Sequence, residues 1–293
     1  MADIRPRRSA LYLPASNLKA LEKARSLDCD VVILDLEDSV APDVKEAARA
    51  QAADAVRAGG FGRRELVVRV NGLDTAWGAA DLQAMAAAGP DAVLVPKVND
   101  GADIRRYDEA LGAAPAAMGL WAMIETAKCV FRLDDIASAS NDSRLSLFVM
   151  GTNDLAKEMG ATLTTARAPF VGALGLAVAA ARAYGLGILD GVFNGLEDEA
   201  GLVEQCRQGL EFGFDGKTLI HPRQIGPCNA VFTPSPELLQ WAWSVIEAFN
   251  LPENADKGAI RVDGKMVERL HLAQARRVLA IHDGVNMGIP ASA

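Results

Sequence analysis

The sequence predicts an α/β fold, a (β/α)8 TIM barrel with a C-terminal helical extension. Two patterns and one absence lead there. Short apolar runs without polar alternation recur along most of the chain, separated by segments of helical texture, as strands buried on both faces do. Nearly every run ends in a charged or polar residue, which suits strands that open onto one functional face. No Gly-x-Gly-x-x-Gly follows the first run, so an open, doubly wound sheet is the weaker alternative.

Taken in order, Ala10 to Pro14 reads as a strand and Asn17 to Leu27 as a helix. Val31 to Leu36 is a second strand, running into Asp35, Glu37 and Asp38, and a helix follows from Asp43 to Ala58 with Pro42 and Asp43 as start signals. Leu66 to Val70 carries Arg69 inside an apolar stretch, and an alanine-rich helix spans Thr75 to Ala88. Ala92 to Val98 ends in Pro96 and Lys97, with a helix over Ala102 to Leu111. Met118 to Thr126 delivers Glu125, and Leu145 to Met150 stops at Gly151-Thr152-Asn153-Asp154. Past Glu158 a polar loop leads to a helix over Pro169 to Tyr184, then to a strand ending near Asp190. Asp198 to Phe212 is helical, and Phe214 to Ile220 is the eighth strand, ahead of His221. The barrel is expected over 1–231 and the extension over 232–293, the latter as a lid or subunit contact. Within the extension, a helix is expected over Glu237 to Phe249, an irregular stretch over Asn250 to Asp263, a helix over Met266 to Ile281, and a frayed end. Trp241 and Trp243 read as packing residues of the first of these helices.

Composition narrows the class. A chain of 293 residues has ample core for a barrel plus an appendage. No apolar run approaches the roughly 20 residues of a membrane helix, and the basic N-terminal stretch has no signal-peptide core, so no membrane partner and a cytoplasmic location are expected. A net charge of −8 argues against nucleic acid, though not against small anionic substrates. Cys29, Cys129, Cys206 and Cys228 show no metal spacing and read as free buried thiols.

The chemistry is expected where strands end. Buried charge is costly unless paired or bound to metal, so Asp35, Glu37, Arg69, Lys97, Glu125, Asp154, Asp190 and His221 are candidates as a group. Glu125 and Asp154, from neighbouring strand ends, suit a hard cation such as Mg2+; pairing with a lysine or capping a helix is the alternative. The absence of His or Cys beside them argues against zinc. Arg69 can grip an anion and stabilise an enolate, or pair with Asp35 and Glu37, and both can hold together. Asp35, Glu37 and Asp38 could orient it, bind metal water or cap the following helix, and the orienting role, with Asp35 and Glu37 as supporting residues, is favoured. Lys97 could form a Schiff base, but pairing with a carboxylate is preferred, and His221 is read as structural.

Seven motifs in order, LYLPASN, VVILDLEDSV, VVRVNG, PKV, MIETA, GTNDLA and GKTLIHPRQI, extend the reading. With them the chain resembles the citrate lyase β-subunit-like proteins, a branch of the metal-dependent aldolase superfamily that includes malyl-CoA and citramalyl-CoA lyases. The resemblance covers Ser9 to Asp283. It implies Mg2+ (Mn2+ as a substitute) on Glu125 and Asp154, and Arg69 on the substrate and its enolate. It also implies a keto-acid carboxylate on the backbone of Gly151, Thr152, Asn153 and Asp154. The implied partners are an acyl-CoA and an α-keto acid, and the implied assembly is a homo-oligomer, trimer or hexamer. The implied reaction is Mg2+-dependent cleavage of a 3-hydroxyacyl-CoA to acetyl-CoA and a keto acid. Malyl-CoA thioesterase, free keto-acid aldolase and non-catalytic subunit are the alternatives. Two positions depart from the family pattern: Ala15 stands where glycine is frequent, and Glu268 fills the slot of an aspartate that serves a neighbouring subunit as acid.

Overall fold

The computed structural model describes residues 5–254 and 256–286. Eight parallel strands close into a barrel in sequence order, each hydrogen-bonded to the next and the last to the first. They are β1 (Ser9–Pro14), β2 (Val31–Asp35), β3 (Glu65–Arg69), β4 (Ala92–Val95), β5 (Gly119–Ile124), β6 (Leu145–Met150), β7 (Gly187–Asp190) and β8 (Gly216–Leu219). The helices between them are α1 (Leu18–Ala24), α2 (Lys45–Ala58), α3 (Gly78–Ala88), α4 (Gly101–Ala110), α5 (Ala127–Val130), α6 (Leu133–Ser138), α7 (Thr152–Met159), α8 (Val171–Ala183) and α9 (Glu199–Phe212), with α10 (Ile225–Phe232) after β8. The (β/α)8 barrel expected from the sequence is therefore what forms. α10 was not expected, and α5 and α6 fill a segment for which no helix was expected.

Local chemistry sets the helix ends. Asn17, Asp100 and Asp198 cap α1, α4 and α9, each side chain accepting from a backbone N–H in the first turn. Gly160 and Gly213 close α7 and α9 in the left-handed conformation, which a side chain resists.

Strand parity sorts the core into two layers. Ala10, Val31, Ile33, Val67, Ala92, Leu94, Trp121, Met123, Leu147, Val149 and Leu189 fill the barrel interior as one cluster. Their strand neighbours, such as Leu11, Val32, Leu34, Val68, Val93, Leu120 and Phe148, pack outward with the helices. Because the period is two, Asp35, Arg69 and Glu125 share the inward parity of Ile33, Val67 and Met123. The next positions up the interior are thus charged.

The chain divides into two compact units, Arg7–Phe232 and a second from Thr233 onward that also takes in Arg5 and Pro6. In the second unit, α11 (Pro236–Asn250) starts at Ser235, which caps it, with proline in the first turn. A two-stranded antiparallel hairpin follows, β9 (Ala259–Val262) and β10 (Lys265–Glu268), then α12 (Arg269–Asn286). This corrects two expectations: residues 259–262 are not irregular, and the helix expected from Met266 starts at Arg269. The turn between the strands is Asp263-Gly264, both left-handed (φ 49° and 79°), the dipeptide a tight hairpin demands. Ala242, Val245, Phe249, Ile260, Val267 and Leu272 lie in this unit's own core. Trp241 packs against it, whereas Trp243 is half exposed, so only the first is a packing residue. The end of the tail expected to fray, 287–293, lies outside the described residues. No described helix is long and apolar enough to cross a membrane.

Close approach, not conformation, requires glycine at position 216. A Cβ there would collide with Arg7 O and lie 2.5 Å from Arg8 O, both backbone atoms that cannot swing aside. Gly226, in α10, has nothing within 4 Å of the same position. Gly216→Ala is expected to cost about 1–3 kcal/mol, whereas Gly226→Ala is expected to stabilise by about 0.5 kcal/mol. Urea unfolding of the two variants against wild type checks the contrast.

Candidate active site

The C-terminal mouth of the barrel holds a cavity of about 290 Å3. Tyr12, Asp35, Arg69, Glu125, Gly151 and Asp154 are in its lining, together with Thr152, Asn153, Asp38 and Ser39. These residues come from the ends of β1, β2, β3 and β5 and from the turn into α7.

Arg69 is fixed from several sides. Its Nε and Nη2 donate to Asp35 Oδ1 and Oδ2 at 2.7 and 2.8 Å, a bidentate pair between register partners on adjacent strands. Its Nη1 lies 2.8 Å from Glu37 Oε2, a close approach without hydrogen-bond alignment. The guanidinium carbon sits 4.9 Å from the centre of the Tyr12 ring. Burial alone would raise the Asp35 carboxyl, but Arg69, together with hydrogen bonds from Ser39 and Glu37, holds Asp35 below the usual carboxylate range. Asp35 also accepts from the backbone N–H groups of Glu37 and Ser39, at 2.9 and 3.0 Å. Lys45 pins the same loop from beneath, its Nζ donating to Leu36 O, Glu37 O and Asn71 Oδ1 within 2.8 Å.

Glu125 is fully buried. Its Oε1 accepts from the Lys97 backbone N–H at 2.8 Å, while Oε2 has no hydrogen-bond partner among the described residues. Burial pushes its pKa up, against the pull of Lys97 and Arg69. Lys97 holds a left-handed backbone (φ 53°), unusual for a side chain of this size. Its Nζ reaches Asp154 Oδ1 at 2.7 Å and Glu125 Oε1 at 3.4 Å. The carboxylate pairing expected of Lys97 is therefore present, and Glu125 and Asp154 share one positive charge.

Gly151 makes this closeness feasible. A Cβ on it would collide with Glu125 Oε2 and lie 2.5 Å from Glu125 Cβ. The chain then enters α7, whose first residues leave backbone N–H groups without intrahelical partners, the positive end of the helix dipole. Asp154 sits in that first turn, where negative charge is favoured.

Two carboxylates from adjoining elements, one with an orphaned oxygen, suit a hard divalent ion that takes one or two protein carboxylates and fills its other positions with water or substrate oxygens. The donors fit Mg2+, and Mn2+ by the same oxygen chemistry. Among the described residues no group of three or more His, Cys, Asp or Glu side chains is placed to hold a metal ion.

Two strand-end candidates do not join the site, and parity explains both. Asp190 follows the inward Leu189, so it points out toward α9 and binds Arg167 and Lys217 at 2.6 and 2.9 Å. His221 shares the outward parity of Lys217 and Leu219; its ring accepts from the Arg223 N–H at 3.2 Å and caps a short helical turn, a structural role as expected. Glu268 belongs to the second unit, where it ends β10 and its N–H donates to His271 Nδ1 at 2.9 Å. Sequence reasoning missed Tyr12 and Lys45. The inward parity of Tyr12 with Ala10 was an available signal; nothing in the pattern of α2 marked Lys45.

Residues 8–222 match the family described as HpcH/HpaI aldolase/citrate lyase. The chain is 49% identical over 275 residues to a protein named (3S)-malyl-CoA thioesterase from Cereibacter sphaeroides (strain KD131), covering 94% of each. It is 32% identical to the citrate lyase subunit beta of Escherichia coli (strain K12), over 94% of this chain and 93% of that one. Among solved structures, the protein CitE of Mycobacterium tuberculosis, in complex with magnesium, acetoacetate and coenzyme A, superposes with a TM-score of 0.73 at 30% identity. That superposition covers 96% of this chain and all of the other.

Glu37 offers a test of the electrostatics. Burial raises its pKa from 4.5 to about 8, with the charges of Glu125, Asp38 and Asp35 adding to it against the opposing pull of Arg69. Between those values the native protein holds a proton that the unfolded chain has released, so stability falls as pH rises, and the penalty is complete above about 8. Glu37→Gln removes the titration. The variant's melting temperature relative to wild type is expected to climb from about pH 5 to about pH 8 and then level, in metal-free protein. A flat difference across that range would contradict the protonated Glu37.

Proposed function

Because the chain belongs to the HpcH/HpaI aldolase/citrate lyase family, we propose that it is a Mg2+-dependent enzyme acting on a short 3-hydroxyacyl-CoA thioester of the malyl type. Glu125 and Asp154 are the metal carboxylates in this reading, and Arg69 binds and stabilises the reacting thioester. The observation that carries it is the orphaned Glu125 Oε2, buried in the same cavity that an immobilised guanidinium lines. Thioester hydrolysis is the first outcome, favoured by the 49% identity to a malyl-CoA thioesterase. Carbon–carbon cleavage to acetyl-CoA and an α-keto acid is the second, favoured by the 32% identity to a citrate lyase β-subunit and by CitE, which binds acetoacetate, magnesium and coenzyme A together.

When bound, Mg2+ supplies Lewis acidity toward the hydroxyl and carboxylate oxygens of the acyl group. The chain's own residues do the rest. The backbone N–H groups opening α7, at Thr152, Asn153 and Asp154, hold the free carboxylate. Arg69, locked by Asp35 and stacked on Tyr12, faces the thioester oxygen without needing to reorganise. In hydrolysis, water adds to the thioester carbon, that oxygen becomes a tetrahedral oxyanion, the C–S bond breaks and CoA thiolate takes up a proton. In cleavage, the hydroxyl loses its proton, the adjacent C–C bond breaks, and the same oxygen becomes an enolate until its carbon is protonated. Both routes put negative charge at one place, so one guanidinium serves either. Glu268 is the acid of the second route, supplied by a neighbouring copy in a homo-oligomer.

The decisive experiment follows malyl-CoA and citramalyl-CoA with and without Mg2+. Malate plus free thiol would establish hydrolysis, and acetyl-CoA plus a keto acid would establish the lyase. Turnover that survives chelation would sink the metal reading. Failure of every thioester, with Mg2+ and keto acid still bound, would leave free-acid aldol chemistry or a binding role. Glu125→Gln is expected to abolish both Mg2+ binding by calorimetry and turnover. Arg69→Lys should keep Mg2+ binding while lowering kcat by about 10²–10³, because the lysine point charge loses the bidentate hold on Asp35.

A further inference from the structure

A second cavity, of about 260 Å3, lies beside the first around the α7–α8 loop and the loop after β7. The two share Thr152 and Val192 in their linings. Arg167 also lines the second cavity, although only 1% of it is exposed. Its Nη1 donates to Asp190 Oδ1 at 2.6 Å and its Nε to Gln208 Oε1 at 2.9 Å. Nη2 has no hydrogen-bond partner among the described residues.

At the buried end of the cavity two cations face one acid. Lys217, equally buried, draws on the same carboxylate, its Nζ 2.9 Å from Asp190 Oδ2. One acid thus answers two cations in a region without solvent to screen them. Asp198 lines the cavity as well, but from its exposed side, where solvent screens its charge and its Oδ1 accepts from Gly201 N at the head of α9. The loop that delivers Arg167 is held under strain. Arg167 has a left-handed backbone (φ 52°), and the amides of Gln205 and Gln208 clamp it by donating to Thr165 O and Ala166 O at 3.2 and 3.0 Å. A buried charged donor left unmatched is unfavourable, and in native proteins it calls for a partner. The chemistry proposed above uses none of these groups.

We propose that this cavity is a carboxylate-binding subsite. Arg167 Nη2 supplies its charge, and Thr164, Thr165 and Asn194 on its wall supply neutral hydrogen bonds. A planar carboxylate matches a guanidinium better than it matches a point cation. Asn194 links the subsite to the first cavity, since its Nδ2 donates to Asn153 Oδ1 at 2.9 Å, within the turn that opens α7. The carboxylate is either that of a free small acid or a second carboxylate on the acyl chain held next door.

Calorimetry with acetate and succinate on the metal-free full-length protein tests the first source. Two variants serve: Arg167→Met, which leaves Asp190 paired with Lys217, and Thr164→Phe, which fills the cavity from an exposed loop and decides the matter if the first variant misfolds. One-to-one binding by wild type, weakened about tenfold or more in either folded variant, supports a free acid. The second source is read from kcat/KM for citryl-CoA, which bears two free carboxylates, against malyl-CoA, which bears one. A selective loss of about tenfold for citryl-CoA in Thr164→Phe, without binding of free acids, supports the acyl chain. If Thr164→Phe leaves both acid binding and the citryl-to-malyl ratio unchanged, the subsite is overturned. The calorimetric arm is independent of the thioester reading and stands even if no thioester turns over.

Discussion

A carboxylate with no exposure to solvent sits at the end of β5, and the mouth of the barrel is arranged to match it with positive charge. Glu125 receives one backbone N–H and half of a lysine, and keeps one oxygen free. To lie that close, the neighbouring strand must end in glycine, because any Cβ at position 151 would occupy the space of the carboxylate. Lys97 must turn back over the site in a left-handed conformation to reach both acids. The left-handed lysine after β4 and the glycine after β6 therefore both trace to the burial of one charge. Such an arrangement is poorly suited to stability and well suited to holding a hard cation.

The other half of the mouth is built the opposite way, to immobilise a cation. Arg69 has an acid on one side, an aromatic face on another, and a loop held by Lys45 below. A guanidinium restrained like this is already oriented toward charge that develops on a substrate. In the proposed function, carboxylates on one side and a fixed guanidinium on the other would polarise two ends of one hydroxyacyl thioester. That division of labour is common to hydrolysis and to carbon–carbon cleavage. In that proposal, access of water and the source of the proton would decide the outcome, not the polarising groups themselves.

Beyond β6 the molecule repeats the theme of buried charge with the opposite imbalance. Arg167 and Lys217 share Asp190, and the surplus is positive. At Glu125 the unmatched atom is an acceptor in the lining of the first cavity; at Arg167 it is a donor in the lining of a neighbouring one. Asn153 and Asn194 bridge the two, so a change at either can be felt at the turn that opens α7.

By itself the sequence determined the barrel, because uninterrupted apolar runs can be buried on both faces only in a sheet wrapped by helices. It also determined which charges to suspect, since Arg69, Glu125 and Asp154 stand where no packing role explains them. Strand parity, legible in principle, would have turned Asp190 and His221 away from the mouth, and the Asp263-Gly264 pair would have shown the hairpin. Tertiary structure alone decided what no local pattern contains. It paired Lys97 with Glu125 and Asp154, brought Tyr12 over Arg69, and set Lys45 beneath the acidic loop. It also left Glu125 and Arg167 each with one unmatched polar atom. The physical reason is that pairing of charge depends on distance in space, and residues far apart in the chain meet only once the barrel has closed.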